Sequence, residues 1–132
     1  DRLGALTLVS EVCDWRRFAK ASSFMSFVGL VASEHSSGEH VHRGHITKAG
    51  NEHLRTQLIE SAWAYQRGPY VGARIAKAQE RCGCETRERA WKAQVRPCGR
   101  FRRLAARKNV KSVVATAIAR ELAGFLWGEM TA

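Results

Sequence analysis

The sequence has few acidic residues, no long apolar run and no strand-like alternation. None of its 132 residues belongs to a stretch approaching the ~20 apolar residues that a membrane-spanning helix needs, and the chain does not open with the layout of a signal peptide. No segment alternates polar and apolar residues over the length of a strand. These absences argue against a membrane protein and against a fold built on a sheet.

The cysteines lack the spacing of a metal site. Cys82 and Cys84 are separated by one residue, whereas zinc knuckles separate their paired cysteines by about two to four. Cys98 has no second close partner. Because a secretory signal is also missing, we expect reduced thiols and no bound metal.

The shortage of acidic residues leaves a strongly positive chain. Lys and Arg number 22 against 12 Asp and Glu, a net charge of +10, and residues 67–111 alone carry 14 Lys and Arg with three Glu, a net +11. Most of these cations are Arg, whose planar guanidinium binds two phosphate oxygens at once. Nucleic acid is therefore the predicted partner, and a merely solvated cationic surface is the alternative.

Apolar periodicity predicts a small all-α domain. The 132 residues suffice for one domain, with residues 1–66 carrying the motifs and residues 67–132 forming a basic helical extension. One predicted helix ends near Asp14, one begins with Thr47 as N-cap, and one spans residues 70–81. A basic segment interrupted by Pro97 follows, and the last helix runs from 110 to about 127 after an Asn109 cap. The chain lacks an initiating Met and its apolar pattern already runs at Leu3, so we expect a piece of a longer protein.

Residues 33–45 read as a polar loop in which reactive side chains, glycines and cations come together. Ser33, Ser36 and Ser37 are candidate nucleophiles, and Gly38 would let a bulky polyanion approach the chain. Turn chemistry alone also favours Ser and Gly in a loop. The four histidines of the segment match no standard ligand set, so phosphate contact or plain exposure is predicted for His45 and its neighbours.

The start of the helix predicted at Thr47 is a candidate phosphate site. Helix N-termini bind anions through free backbone N–H groups, and a Gly50 within the first turn would allow a close backbone approach. Lys48, Asn51 and Arg55 are spaced i, i+3, i+7, so they would form one exposed stripe. The alternative is an ordinary capped helix with solvated charges. Among the tryptophans, only Trp91 lies among enough cations to be a base-stacking candidate.

The joint order of several segments resembles the C-terminal domain of a family of bacterial insertion-sequence transposases. Members pair an N-terminal RNase-H-like domain bearing a DEDD set of carboxylates with a serine-bearing C-terminal domain, and they choose DNA sites with a bridge RNA. The segments that carry the resemblance are residues 8–12 (LVSEV), 17–18 (RF), 27–38 (FVGLVASEHSSG), 44–51 (GHITKAGN), 54–55 (LR) and 117–127 (AIARELAGFLW).

The resemblance implies a helix-hairpin-helix-like N-terminal part, a long C-terminal helix and a role in DNA recombination. It assigns the nucleophile to Ser37, with Ser36 and then Ser33 as fallbacks, and implies a phosphoserine link to DNA that a hydroxyl of the partner strand later resolves. Activation would come from Mg²⁺ held by the acidic domain, so this chain alone should bind nucleic acid better than it reacts. A guide RNA, a homo-oligomer and a cytoplasmic location are implied for the full-length protein.

Several basic and polar side chains are predicted to contact DNA. Residues 67–111 should supply most of the sequence-independent affinity, with Arg100, Arg102 and Arg103 in its cationic run. The full predicted set is His45, Thr47, Lys48, Asn51, Arg55, Arg100, Arg102 and Arg103. Two other functions remain open: a non-catalytic helix-hairpin-helix module in which Ser37 is only a turn residue, and a basic helical scaffold for protein assembly.

Overall fold

The computed structural model describes residues 2–37, 40–107 and 110–132, and within 33–37 and 40–44 only the backbone. In these residues six α-helices and two strands follow one another, with short 3-10 turns at Trp15–Arg17 and Trp63–Gln66. The elements are α1 (Arg2–Val12), α2 (Ala21–Phe27), β1 (Ala32–Ser37), β2 (His40–Ile46), α3 (Glu52–Ala62), α4 (Ala73–Gln79), α5 (Cys84–Ala106) and α6 (Lys111–Thr131). The predicted all-α class is confirmed.

The long C-terminal helix α6 is the centre of the core. It packs against α2, α3 and α5, and it buries Val114, Ala115, Ile118, Ala119 and Ala123 between them. The small alanines let the neighbouring helices approach α6 closely. Leu54 and Leu58 of α3, Phe24 of α2 and Phe101 of α5 complete this core. The helix predicted over residues 110–127 is therefore confirmed, with Val110 as its N-cap, while the predicted Asn109 cap lies outside the described residues.

The first helix is confirmed, but its apolar periodicity does not mark its buried face. α1 buries Leu8 and Val12, whereas Leu3 and Leu6 are 73% and 64% exposed. Trp15 follows α1 and packs at a ring separation of 4.8 Å against Phe24. Across the described part of the chain, no helix is both long and apolar enough to cross a membrane.

The segment predicted as a loop is a two-stranded antiparallel hairpin. β1 and β2 pair from Ala32 opposite Ile46 to Ser37 opposite His40, with a shift in register between Ala32 and Glu34. The prediction was wrong because it relied on alternation of polar and apolar residues, which a strand shows only when one of its faces is buried. Backbone pairing between two mostly polar strands leaves no such trace in the sequence.

Two glycines allow the chain to cross itself at the base of the hairpin. Asn51 N–H donates to the Phe27 carbonyl at 2.9 Å, and Thr47 N–H donates to the Val31 carbonyl at 2.9 Å. Gly29 and Gly50 have φ angles of 73° and 98°, and a Cβ on Gly50 would lie 2.0 Å from the Phe27 oxygen. The close backbone approach predicted at Gly50 is thus present, although it is made to another chain segment.

The basic extension, residues 67–132, forms α4 and α5 before it ends in α6. α4 is a shorter version of the helix predicted over residues 70–81. Pro97 does not interrupt the basic segment, contrary to the prediction, because it lies inside the continuous 23-residue helix α5. Its missing N–H removes one helical hydrogen bond, but the ring is fully buried beside Cys98 and Phe101, and this burial offsets the loss.

Candidate nucleic-acid interface

Ser37 lies at the far end of the hairpin ladder. It is the last residue of β1 and pairs with His40, while Ser36 pairs with Val41. At about 3.3 Å per residue, the five steps from Ala32 place the Ser37 backbone roughly 16 Å from the base of the hairpin. The hairpin thus separates the predicted nucleophile from the turn that follows β2. Gly38, predicted to let a polyanion approach, lies outside the described residues.

The helix start predicted at Thr47 is four residues too early. The N-cap of α3 is Asn51, whose side-chain oxygen accepts a hydrogen bond of 2.9 Å from Leu54 N–H. Lys48 has a φ angle of 53°, so the chain is still turning there and cannot be helical. Because Asn51 satisfies an N–H of the first turn and Glu52 adds negative charge to it, this helix end is not the predicted open anion site.

Arg55 was predicted as an exposed DNA contact and is instead a buried structural residue. Its side chain is only 8% exposed. One guanidinium nitrogen donates to the Val28 carbonyl at 3.2 Å and to the Lys48 carbonyl at 3.1 Å. Arg55 therefore holds the two crossing segments together, and the predicted stripe of Lys48, Asn51 and Arg55 does not exist.

Asn51 also has a structural role. Its amide nitrogen donates to Glu11 of α1 at 2.9 Å, and His53 pairs with the other oxygen of that carboxylate. The Asn51 hydrogen bond, aided by His53, lowers the pKa of Glu11 below its ordinary value. This network joins α1 to α3, so both polar groups of the Asn51 side chain have partners within the protein.

Three of the predicted residues meet in a groove beside the base of the hairpin. His45, Lys48 and Arg100 line it together with Arg120, which sequence reasoning missed. We call this cavity of about 420 Å³ the hairpin-base groove, and its remaining lining is Leu30, Ala32, Ile46, Ser112, Val113, Thr116 and Ala117. Hydroxyl groups and three permanently charged side chains around one concave surface form a suitable seat for a phosphate backbone.

A second and larger groove of about 1030 Å³ lies between α5 and α6. Arg100 and Arg120 line both cavities, so the two grooves are neighbours. We call it the α5–α6 groove; its charged lining is Arg89, Lys92, Arg96, Arg100, Arg120, Glu121 and Glu129. The positive charge that the sequence concentrates in residues 67–111 is thus partly arranged along one face of α5.

Internal ion pairs neutralise part of this charge. The buried carboxylate of Glu121, 7% exposed, lies 2.8 Å from Arg100 and 2.9 Å from Arg96. Arg89 donates to Glu129 at 2.6 Å, which lowers the pKa of the Glu129 carboxyl. Arg100, predicted as a free phosphate contact, is therefore also an internal partner of Glu121.

The remaining predicted contacts lie apart from the grooves. Arg102 and Arg103 are exposed on α5 but line neither cavity, and Thr47 is exposed next to Lys48. Trp91 is 46% exposed, as expected of a stacking candidate, and is also absent from both linings. Sequence reasoning missed Arg120 because it lies on an apolar helix that was assigned to the core. A cation in the middle of that apolar helix was the available signal.

Metal-ligand geometry is absent from the described residues, where no three His, Cys, Asp or Glu side chains converge. All four cysteines are free thiols, and Cys98 is buried, which raises the pKa of its thiol. The described part of the chain therefore has no cluster of side chains that could enclose a metal ion.

Comparison with known proteins gives a consistent set of matches. A family described as "Transposase IS116/IS110/IS902 family" matches residues 1–76. A putative transposase of Sinorhizobium fredii, y4qE, is 46% identical over 127 residues, which are 96% of this chain and 33% of the relative. A second from that organism, y4pF/y4sB, is 33% identical over 98% of this chain and 28% of its own length.

A third relative matches only part of the chain. The transposase for insertion sequence element IS1111A of Coxiella burnetii is 40% identical over 65 residues, 49% of this chain and 18% of its own. The chain thus spans about a third or less of the length of these relatives. No solved structure matches it.

Proposed function

Because the chain belongs to the IS116/IS110/IS902 family of transposases, we propose that it is the DNA-binding part of such an enzyme and carries the serine nucleophile, Ser37. The family match covers residues 1–76 and therefore the whole hairpin, and this observation carries the proposal. The relatives are named as transposases, one of them for an insertion sequence element, which supports DNA transposition as the overall activity.

The arrangement of the hairpin supports separate positions for DNA binding and for the nucleophile. The hairpin-base groove presents Lys48, Arg100 and Arg120 to a polyanion, while the Ser37 backbone lies at the other end of the strands. A DNA backbone seated in the groove could extend along the hairpin towards Ser37, since the ~16 Å between them spans only a few nucleotides at about 3.4 Å per step. Phosphate contacts of this kind position a strand without reading its sequence.

In the proposed reaction the Ser37 hydroxyl oxygen attacks the phosphorus of a DNA phosphodiester. A bond forms between that oxygen and phosphorus, and the bond from phosphorus to one deoxyribose oxygen breaks. The serine proton goes to a base, and the leaving oxygen gains a proton. The resulting phosphoserine diester conserves the energy of the original phosphodiester, so a hydroxyl of the partner strand can attack its phosphorus, form a new phosphodiester and release Ser37.

The proposed reaction also requires activation of the serine. A serine hydroxyl is a weak nucleophile until a base or a metal ion activates it. From the resemblance we propose that Mg²⁺ bound by a separate acidic domain activates the serine hydroxyl. A guide RNA, self-association of the full-length protein and action in the bacterial cytoplasm belong to the same proposal.

The test is the covalent adduct in the full-length transposase. We expect a DNA strand labelled at the cleaved end to become attached to the wild-type protein and, after digestion, to the peptide that contains Ser37. Ser37→Ala should abolish the adduct and strand exchange, while its folding and DNA affinity remain close to wild type. Ser36→Ala is the matched control and should retain the adduct.

Two results would contradict the assignment. An adduct that persists in Ser37→Ala and disappears in Ser36→Ala would move the nucleophile by one residue. DNA binding with no adduct in any preparation that exchanges strands would favour the non-catalytic module, in which Ser37 is only part of the hairpin.

A further inference from the structure

The α5–α6 groove has two kinds of lining. We call its apolar lining the floor, which includes Met25, Leu122, Phe125 and Leu126. We call its charged lining the rim, which consists of five Arg and Lys side chains and the carboxylates of Glu121 and Glu129. A phosphate backbone alone would use the rim and leave the apolar floor in contact with water.

An unpaired nucleotide matches both parts of this lining. Its base is a flat, largely apolar ring that stacks on aromatic side chains, and its phosphate is an anion for the arginines. A duplex cannot use the floor, because its bases are paired and stacked inside the helix and only the backbone and base edges are presented. At about 1030 Å³, the cavity is at the upper end of the volumes that hold single small molecules, so it has room for a nucleotide.

We propose that the α5–α6 groove binds an unpaired stretch of a DNA strand, with a base against Phe125 and the adjoining phosphates on the rim arginines. This inference rests on the proposed function, since breaking and rejoining DNA strands leaves nucleotides outside the duplex near the break. It assigns to α5 and α6 a substrate that differs from the duplex backbone proposed for the hairpin-base groove.

Arg96 and Phe125 form the stacking surface. The Arg96 guanidinium carbon lies 5.9 Å from the centre of the Phe125 ring, at the outer range of a cation–π contact. Bases stack both on aromatic rings and on guanidinium planes, so Arg96 and Phe125 each offer a surface on which a base stacks.

Glu121 fixes the position of this surface. Its carboxylate oxygens lie 2.9 Å from a guanidinium nitrogen of Arg96 and 2.8 Å from one of Arg100, and its side chain is almost fully buried. Two arginines held in this way lose less side-chain freedom on binding DNA than two mobile ones. Glu121 is therefore a positioning residue.

The experiment compares one DNA strand with its own duplex. The affinity of the 132-residue chain for a fluorescently labelled strand and for the same strand annealed to its complement is measured by anisotropy. The Phe125→Leu substitution should weaken binding of the single strand about tenfold, because stacking contributes roughly 1–3 kcal/mol per base. It should change duplex affinity by less than about twofold. Phe125→Tyr, which keeps the ring, should restore single-strand binding.

Trp91→Leu tests the other base-stacking candidate. Trp91 is exposed on α5 but does not line the groove, so a strand whose base stacks on Phe125 should bind this variant as tightly as wild type. A 2-aminopurine base in the strand should lose fluorescence on binding to the wild-type chain and keep it with Phe125→Leu, which reports stacking directly.

Several results would overturn the proposal. One is that Phe125→Leu weakens the affinity for single strand and duplex equally. Another is that Trp91→Leu, and not Phe125→Leu, weakens the affinity for the single strand. A third is that the wild-type chain binds an RNA strand of the same sequence more tightly than the DNA strand. A chain that binds duplex DNA but shows no dependence on Phe125 would leave the proposed function intact and remove only this groove assignment. A chain that binds neither form of DNA would remove the proposed function as well.

Discussion

At the scale of single residues, two cationic side chains have opposite roles within one short segment. Lys48 is exposed in the hairpin-base groove, and Arg55, seven residues later, is buried with two backbone carbonyls as partners. Charge alone therefore did not indicate which of the two faces a ligand. The difference comes from Gly50, which lets the segment cross beneath Gly29 and brings carbonyl oxygens to Arg55.

The Arg55→Met substitution should destabilise the protein far more than it alters binding. It removes the donors to the Val28 and Lys48 carbonyls and leaves these acceptors without their partner, at a cost of about 2–4 kcal/mol. Urea denaturation would measure this loss in the free energy of unfolding. Lys48→Met is the control and should change that free energy by less than about 0.5 kcal/mol. A stable Arg55→Met variant with impaired DNA binding would restore the original prediction of a DNA contact.

Glu11 should make stability depend on pH in the acidic range. Its pKa is lowered in the folded chain, chiefly by the hydrogen bond from Asn51, so its stabilising effect is complete above the ordinary pKa of a carboxyl group. The effect is lost as the pH falls through the lowered value. Glu11→Gln should therefore show a smaller loss of unfolding free energy on acidification than wild type, measured in urea at a series of pH values. Parallel pH curves for the two proteins would exclude this role for Glu11.

Several residue roles lay beyond sequence reasoning because the partners are distant along the chain. Arg55 bonds to a carbonyl 27 residues away, Asn51 to Glu11 40 residues away, and Arg100 to Glu121 21 residues away. A pattern read over one or two helical turns contains none of these partners. The exposure of Lys48 and Trp91 was predicted correctly, because polar or cationic surroundings in the local sequence are sufficient for that inference.

At the scale of elements, the helices with a clear apolar repeat could be predicted from the sequence, whereas the basic helix α5 and the hairpin could not. The apolar repeat of α6 is strong because three helices pack around it. A helix that is buried on several sides has apolar residues at most of those positions, and this pattern is visible in the sequence. β1 and β2 are held by their mutual backbone hydrogen bonds, for which many residue types suffice. Pro97 was misjudged for a related reason, since a buried ring inside a long helix compensates locally for a lost hydrogen bond.

The crossing at the base of the hairpin should tolerate no side chain at Gly50. Gly50→Ala places a Cβ 2.0 Å from the Phe27 oxygen at a φ of 98°, so the two segments must separate. We expect a loss of more than about 2 kcal/mol in the free energy of unfolding, measured by urea denaturation. Gly68→Ala is the matched control, because no atom lies within 4 Å of its added Cβ, and it should be close to neutral. Equal stability of the two variants would contradict the crossing.

At the scale of the whole molecule, net charge overstates the number of cations that are free to bind DNA. Arg89, Arg96 and Arg100 are paired with carboxylates of α6, whereas Lys48 and Arg120 line the hairpin-base groove with no ion pair among the described contacts. The sequence predicted the sign and rough location of the charge. It could not predict which cations are neutralised, because the carboxylates concerned are contributed by a different helix.

The central claim is that this cationic surface binds the DNA backbone, and the salt dependence of binding tests it most directly. The affinity of the chain for a DNA duplex of arbitrary sequence would be measured over a range of salt concentrations. Neutralising Lys48 and Arg120 together, as Lys48→Gln and Arg120→Gln, should flatten the log–log slope by up to about 2 units, since each lost phosphate contact removes roughly 0.9. Neutralising Arg2 and Arg16, two exposed arginines outside both grooves, should leave it nearly unchanged. An affinity that hardly varies with salt, or equal flattening by both pairs of substitutions, would contradict the account and favour a scaffold that binds protein instead.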